Sequence, residues 1–281
     1  MKRLVRSGRA ELCVAEVAPD GVPGGPPIVC LHAGVCDRRM WTPQLESLRA
    51  RHRVLAYDRR GFGETRGDAE PYTQVGDLIA LLDAAQIERA VLVGCSQGGR
   101  IAIDAALAHP QRVAALVLVA CAVSGAPHDA DGPFAPAIEA RIAAFEAAEA
   151  RGDRAAMNEL EAQFWLDGPM QPSGRIDGAL RELFRDMNGI ALAAPDPGAA
   201  AEPPPAWDRL AQIGVPTLVV WGTLDFEHLG ARMREMAQRI PGAQAVVIDG
   251  VAHLPGLERP AEFNRALLAF LASLPAERPA R

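Results

Sequence analysis

Apolar residues in this chain fall into short unbroken runs, and the stretches between them carry a helical period. Ile28–Leu31, Arg53–Tyr57, Ala90–Val93, Val113–Val119, Thr217–Trp221 and Ala245–Ile248 read as strands. Most leave no polar face, the pattern of parallel strands buried on both sides. Glu11–Ala18 reads as an earlier strand, closed by a Pro/Gly turn over 20–27. Helical spacing follows over Met40–Arg51 (Trp41, Leu45, Leu48), Val75–Gln86 (Val75, Leu78, Ile79, Leu82), Gly98–Ala108, Leu229–Arg239 and Ala261–Leu274, the last opened by Pro260. Such alternation predicts an α/β fold with a mostly parallel twisted sheet flanked by helices. From Ser124 the pattern changes. Residues 124–206 are Ala-rich and helical, lack strand signals, and end in the stiff stretch "APDPGAAAEPPP". The expected organisation is a core of 1–123 and 207–281 with a helical cap inserted at 124–206.

A length of 281 residues is enough for one large α/β domain with a sizeable core. The net charge of −6 gives no support to a nucleic-acid surface. The basic N-terminal cluster Lys2, Arg3, Arg6 and Arg9 reads as a solvated first strand. No apolar run reaches the ~18 residues that span a bilayer, and no apolar stretch follows the N-terminal charges as a secretory signal would require. The five cysteines are an odd number with no CxxC pair, so they are expected to be reduced thiols, mostly buried, in a cytoplasmic protein. The only lysine is Lys2, which argues against Schiff-base chemistry and against a phosphate-binding P-loop.

The stretch "LVGCSQGG" sits between a buried strand and a helix. A strand that turns at once into a helix leaves almost no room two residues before and two after the turn. Gly94 and Gly98 occupy those positions around Ser96. A serine held there is strained, projects its oxygen above the sheet edge, and stands at a helix N-terminus whose N–H groups lack partners. With "IVCLHAGVCDRRMW", "VLAYDRRGFGET" and "VAHLPGLERPAEF" in the same order, the chain resembles the α/β-hydrolase family over nearly its whole length. Ala33 stands where that family usually has glycine in its oxyanion loop. The resemblance implies that the backbone N–H groups of Gly34 and Gln97 hold an oxyanion.

A serine hydroxyl needs a base near neutral pH. Of the six histidines, His32 belongs to the oxyanion loop, His52 and His109 close helices, His128 lies at the entry to the insertion, and His228 follows Asp225 too closely to be held by it. His253, in the loop after the strand "AVVID", remains. Asp225 ends the strand "TLVVWG" and would orient it, in the chain order Ser, Asp, His expected of this fold. Asp249 and Glu227 are weaker choices, a turn residue and a solvent-facing one. Asp58 reads as a loop-ordering carboxylate, and Cys95 should point into packing. Val35, Phe164, Trp165 and Met170 are candidates for a substrate pocket. For the three in the insertion, packing within it is an equal reading.

The expected activity is cleavage of a carboxylic ester or lactone through an acyl-enzyme on Ser96, with no metal and no organic cofactor. A serine at 96 argues against haloalkane dehalogenase and epoxide hydrolase chemistry, which need a carboxylate nucleophile. Thioester hydrolysis, C–C cleavage of a dienoate, and perhydrolysis by the same residues remain open. So does a small-ligand-binding protein on the same scaffold. The partner is a small acyl substrate, and nothing in the sequence sets an oligomeric state.

Overall fold

The computed structural model describes residues 1–21, 23–127 and 134–275. His128 therefore lies outside the described residues. Nine strands make one sheet in this region: β1 (Lys2–Ser7), β2 (Ala10–Val17), β3 (Ile28–Leu31), β4 (Val54–Tyr57), β5 (Arg66–Gly67), β6 (Ala90–Cys95), β7 (Val113–Val119), β8 (Thr217–Gly222) and β9 (Gln244–Ile248). The order is β1-β2-β4-β3-β6-β7-β8-β9, with the two-residue β5 added beside β2. β1/β2 and β2/β4 pair antiparallel, and every pair from β4/β3 to β8/β9 is parallel. The basic N-terminus is thus an edge strand, with Arg3 paired to Glu16.

Alternation along the strands sorts side chains into two cores. Val29, Leu31, Leu55, Tyr57 and Leu92 face the helices α2 (Gln74–Ala84), α3 (Gln97–Ala108) and α7 (Glu227–Arg239). Ile28, Cys30, Val54, Ala56, Val91, Val93 and Cys95 face α1 (Thr42–Leu48) and α9 (Pro260–Ser273). Every residue of β3, β4, β6 and β8 is buried, as the uninterrupted apolar runs require. α1 is shorter than its periodicity suggests. A 3₁₀ turn over Arg38–Trp41, capped by the Asp37 carboxylate accepting the Arg39 N–H, precedes it, and it stops at Leu48.

Between β7 and β8 the chain forms α4 (Pro136–Ala150), α5 (Arg154–Glu161), a π-helical turn over Ala162–Asp167, and α6 (Ala179–Ala193). The two ends of this segment meet. The Ser124 carbonyl accepts the N–H groups of Ala206 and Trp207, both at 3.0 Å. The proline-rich stretch before Ala206 is no free spacer. Tyr72 bridges Ala200 in parallel register, and Glu70, Tyr72 and Ala201 share three backbone hydrogen bonds with Pro197, Ala199 and Tyr72. The short helix α8 (Pro255–Glu258) joins the loop after β9 to α9.

No described helix is long and apolar enough to cross a membrane. All five cysteines are buried and unpaired.

Candidate active site

The chain order of the sheet reverses around β3, which lies between β4 and β6, and such a switch point opens a crevice at the carboxyl ends of the strands. In the β3/β6 register Leu31 stands opposite Gly94. The loop His32-Ala33-Gly34 therefore leaves the sheet beside Cys95 and Ser96.

Ser96 adopts φ 53° and ψ −116°, a region that non-glycine residues rarely occupy. The turn that enforces it is tight. A methyl group on Gly94 would lie 2.4 Å from the Gly98 carbonyl oxygen, and one on Gly98 would lie 2.2 Å from the Leu31 carbonyl oxygen. The Ser96 hydroxyl makes no capping bond to its own helix. Gln97 is the first residue of α3, where no carbonyl of the same helix reaches its N–H. Among the described residues no acceptor takes the Gly34 N–H either. The two residues touch: the Gln97 amide lies where a side chain on Gly34 would go.

His253 and Asp225 arrive from the ends of β9 and β8. His253 Nδ1 lies 2.7 Å from Asp225 Oδ2, and both side chains are nearly inaccessible, at 4% and 2%. This contact places a proton on Nδ1, and in the neutral imidazole that tautomer keeps the lone pair on Nε2. The loop carrying His253 packs on the serine turn, because the Cys95 thiol donates to the His253 carbonyl oxygen (3.6 Å). Cys95 itself points into the α9-side core, and burial raises its pKa well above the ordinary thiol value, so it stays protonated.

Two further groups hold the His253 loop. Trp165, in the π-helical turn, packs its ring 4.6 Å from the imidazole, and it also meets Phe226 and Phe164. Arg175 forms a two-pronged pair with Glu258 (2.7 and 2.8 Å), whose Oε2 also accepts the Ala252 N–H. The same guanidinium donates to the Leu166 carbonyl at 2.9 Å. One side chain thus ties the π-helical turn to the residue before His253.

The remaining sequence candidates separate. Val35 is buried in the core that faces α1 and α9. Phe164 is buried with Ile138 and Phe226. Met170 is exposed, on the rim of a cavity of about 670 Å³ that also borders Asp225 and Phe134. Asp249 accepts from the Thr223 hydroxyl in a turn, and Glu227 is exposed. Asp58 binds the backbone N–H groups of Arg38 and Glu64 and the Arg38 guanidinium, which knits its loop together. Beyond Phe62, whose ring meets that of His32, lies a cavity of about 350 Å³. Its apolar wall includes Ile190, Ala193, Ala194 and Pro197.

The profile of the alpha/beta hydrolase family matches residues 28–266. The chain belongs to this family. Epoxide hydrolase A of Mycobacterium tuberculosis is 30% identical over 97% of this chain and 98% of its own length. The structure of a thermophilic esterase from Thermogutta terrifontis superposes with a TM-score of 0.76 at 27% identity, covering 98% of this chain and 99% of the esterase. The enol-lactonase from Burkholderia xenovorans LB400 superposes with a TM-score of 0.73 at 27% identity, covering 94% of this chain and 97% of the lactonase. This hydrolase therefore has relatives that act on esters and lactones. Among its described residues no group of three or more His, Cys, Asp and Glu side chains could hold a metal ion.

Sequence reasoning passed over Arg59, Arg175 and the contact of Trp165 with His253. Arg59 comes two residues after the apolar strand β4, a signal that its side chain starts at the sheet's carboxyl edge. Arg175 lies in a polar loop and carries no such signal.

Proposed function

We propose that this hydrolase cleaves carboxylic esters or lactones through an acyl-enzyme on Ser96, with His253 as general base, Asp225 as its orienting partner, and the N–H groups of Gly34 and Gln97 as oxyanion donors. The observation that carries the reading is the buried 2.7 Å contact between His253 Nδ1 and Asp225 Oδ2 in a loop packed on the Ser96 turn. The Ser96 oxygen bonds the acyl carbon as its proton passes to His253 Nε2. The tetrahedral intermediate expels the alkoxide, which takes that proton. Water then attacks the acyl-enzyme, gives its proton to Nε2, and the Ser96 oxygen leaves with it. Asp225 stabilises the transient imidazolium and fixes its tautomer.

A serine nucleophile favours acyl transfer over epoxide opening, for which a carboxylate nucleophile would be needed. The helices between β7 and β8 act in this reading as a cap, and Trp165 limits water around the imidazole. The five unpaired buried thiols suit a reducing, cytoplasmic compartment. The test is Ser96→Ala against p-nitrophenyl acetate, a matched thioester and a lactone. Turnover of the ester should fall by about 10³-fold or more, as for loss of a nucleophile. A fluorophosphonate probe should label the peptide containing Ser96 in the wild type and not in the variant. Retained turnover, or labelling elsewhere, refutes the assignment.

A further inference from the structure

Arg59 and Arg60 are neighbours with opposite surroundings. Arg60 pairs with Asp77 and Glu70. Arg59 is 2% exposed and has no carboxylate partner among the described residues. Its Nε is buried without any acceptor. A buried guanidinium left unneutralised is costly, so its position calls for a reason. Its two remaining nitrogens reach Gln97 and the Ala33–Gly34 peptide unit, which carry the unused N–H groups. Nη1 donates to the Gln97 amide oxygen (3.1 Å), and Nη2 donates to the Ala33 carbonyl oxygen (3.2 Å).

The Ala33 carbonyl belongs to the peptide unit whose N–H is that of Gly34. Described peptides are all trans, so this carbonyl and this N–H point in opposite directions. Fixing the oxygen fixes the direction of the N–H. Ala33 O takes three donors: the His32 ring at Nδ1 (2.7 Å), the Cys36 N–H (3.2 Å) and the Arg59 guanidinium. The His32 tautomer is set as well, because its Nε2 accepts the Arg59 backbone N–H at 3.0 Å. Burial holds His32 neutral, far below the ordinary imidazole pKa. Arg59 is the one charged donor of the three. A charged donor on the carbonyl polarises the peptide and strengthens the N–H on its far side.

We propose that Arg59 is a positioning residue of the oxyanion hole: its guanidinium aims and polarises the Ala33–Gly34 peptide and braces Gln97, so that both backbone donors are in place before the oxyanion forms. The proposal rests on Ser96 as the acyl nucleophile. It makes Arg59 act on the transition state through the backbone and not through substrate binding.

The test compares Arg59→Met and Arg59→Lys with wild type on an oxyester and the matching thionoester. The sulfur anion of a thionoester is a poor hydrogen-bond acceptor and gains little from N–H donors. Arg59→Met should lower kcat on the oxyester by about 10- to 100-fold with KM within about twofold, short of the loss of a whole donor. The thionoester rate should change by less than about threefold, and Arg59→Lys should recover part of the loss. If Arg59→Met does not fold, the same comparison with Arg59→Lys carries the test, expected at about a tenfold oxyester loss. Equal loss on both substrates, a change confined to KM, or an unchanged oxyester kcat overturns the proposal while Ser96→Ala remains inactive. Retained turnover in Ser96→Ala overturns the acyl-enzyme reading and this proposal with it.

Discussion

The sheet and the helical segment between β7 and β8 are held by different forces. In the sheet, shape decides. Whole strands are buried, and the serine turn leaves no space for one added methyl group. In the helical segment, burial is uneven: Ala162, Leu166, Phe184 and Met187, from the π-helical turn and α6, enter the core that faces α1 and α9, and the first two helices bury little. α5 has no buried residue, and α4 buries only Ile138 and Ala148. Around those few apolar contacts the segment is tied down by charge pairs: Arg181 with Asp167 and Glu159, Arg39 with Asp186, and Arg175 with Glu258. Packing to near-crystalline density tolerates few changes, whereas paired charges can be exchanged or moved.

The sharpest way to break the contrast is steric. Gly98→Ala puts a methyl group 2.2 Å from the Leu31 carbonyl oxygen, which forces β3 and α3 apart. Denaturant unfolding should show a loss of about 4 kcal/mol or more, or no soluble protein. Gly214→Ala, with nothing within 4 Å of the added carbon, should stay within about 0.5 kcal/mol. Equal effects of the two would mean that the turn is looser than its geometry states.

The next test strikes the polar anchor. Arg175→Met removes both prongs from Glu258, whose side chain is 3% exposed, and leaves a buried carboxylate uncompensated. The expected cost is about 3 kcal/mol at neutral pH. Adding Glu258→Gln should return part of it, since the stranded charge is then gone, and Gln can still accept the Ala252 N–H. A double variant no more stable than Arg175→Met would show that Arg175 works through its bond to Leu166 and not through charge.

The same contrast explains what could be read from the sequence. β3 and β7 have the bounds their apolar runs predict, and β8 extends one residue further, because parallel strands buried on both faces leave a continuous signal. Ser96, Asp225 and His253 were accessible to reasoning because each lies in the turn or loop that follows such a run. The helical segment was legible only as helical. Alanine favours helix everywhere and marks no face, so the break at Gly152, the π-helical turn at Ala162–Asp167 and the placement of Trp165 left no periodic trace. Backbone pairing of Ala200 with Tyr72 has no side-chain signature at all. Arg59 was hidden for another reason. Its partners Ala33 and Gln97 come from the loop after β3 and the start of α3, and no spacing along the chain encodes their meeting.

The smallest effect is expected where the two regions join. Asp104, on the helix that begins at the serine turn, hydrogen-bonds Ser124, the residue whose carbonyl and hydroxyl hold the other end of the segment at Ala206. Burial pushes the Asp104 carboxyl from 3.8 up to about 6, and Arg100, the Ser124 hydroxyl and Arg209 offset only part of that. The folded state thus keeps its proton in a range where the unfolded chain has lost it. Stability from this group is complete below about pH 4, falls as pH rises towards about 6, and stays reduced above that. Asp104→Asn has no proton to lose and retains an acceptor for Ser124. The drop in unfolding free energy between pH 4 and pH 7 should shrink by on the order of 2 kcal/mol in this variant. If both proteins lose stability in parallel over that range, the carboxylate at the neck carries no strain, and the join between the regions is as indifferent to charge as the sheet.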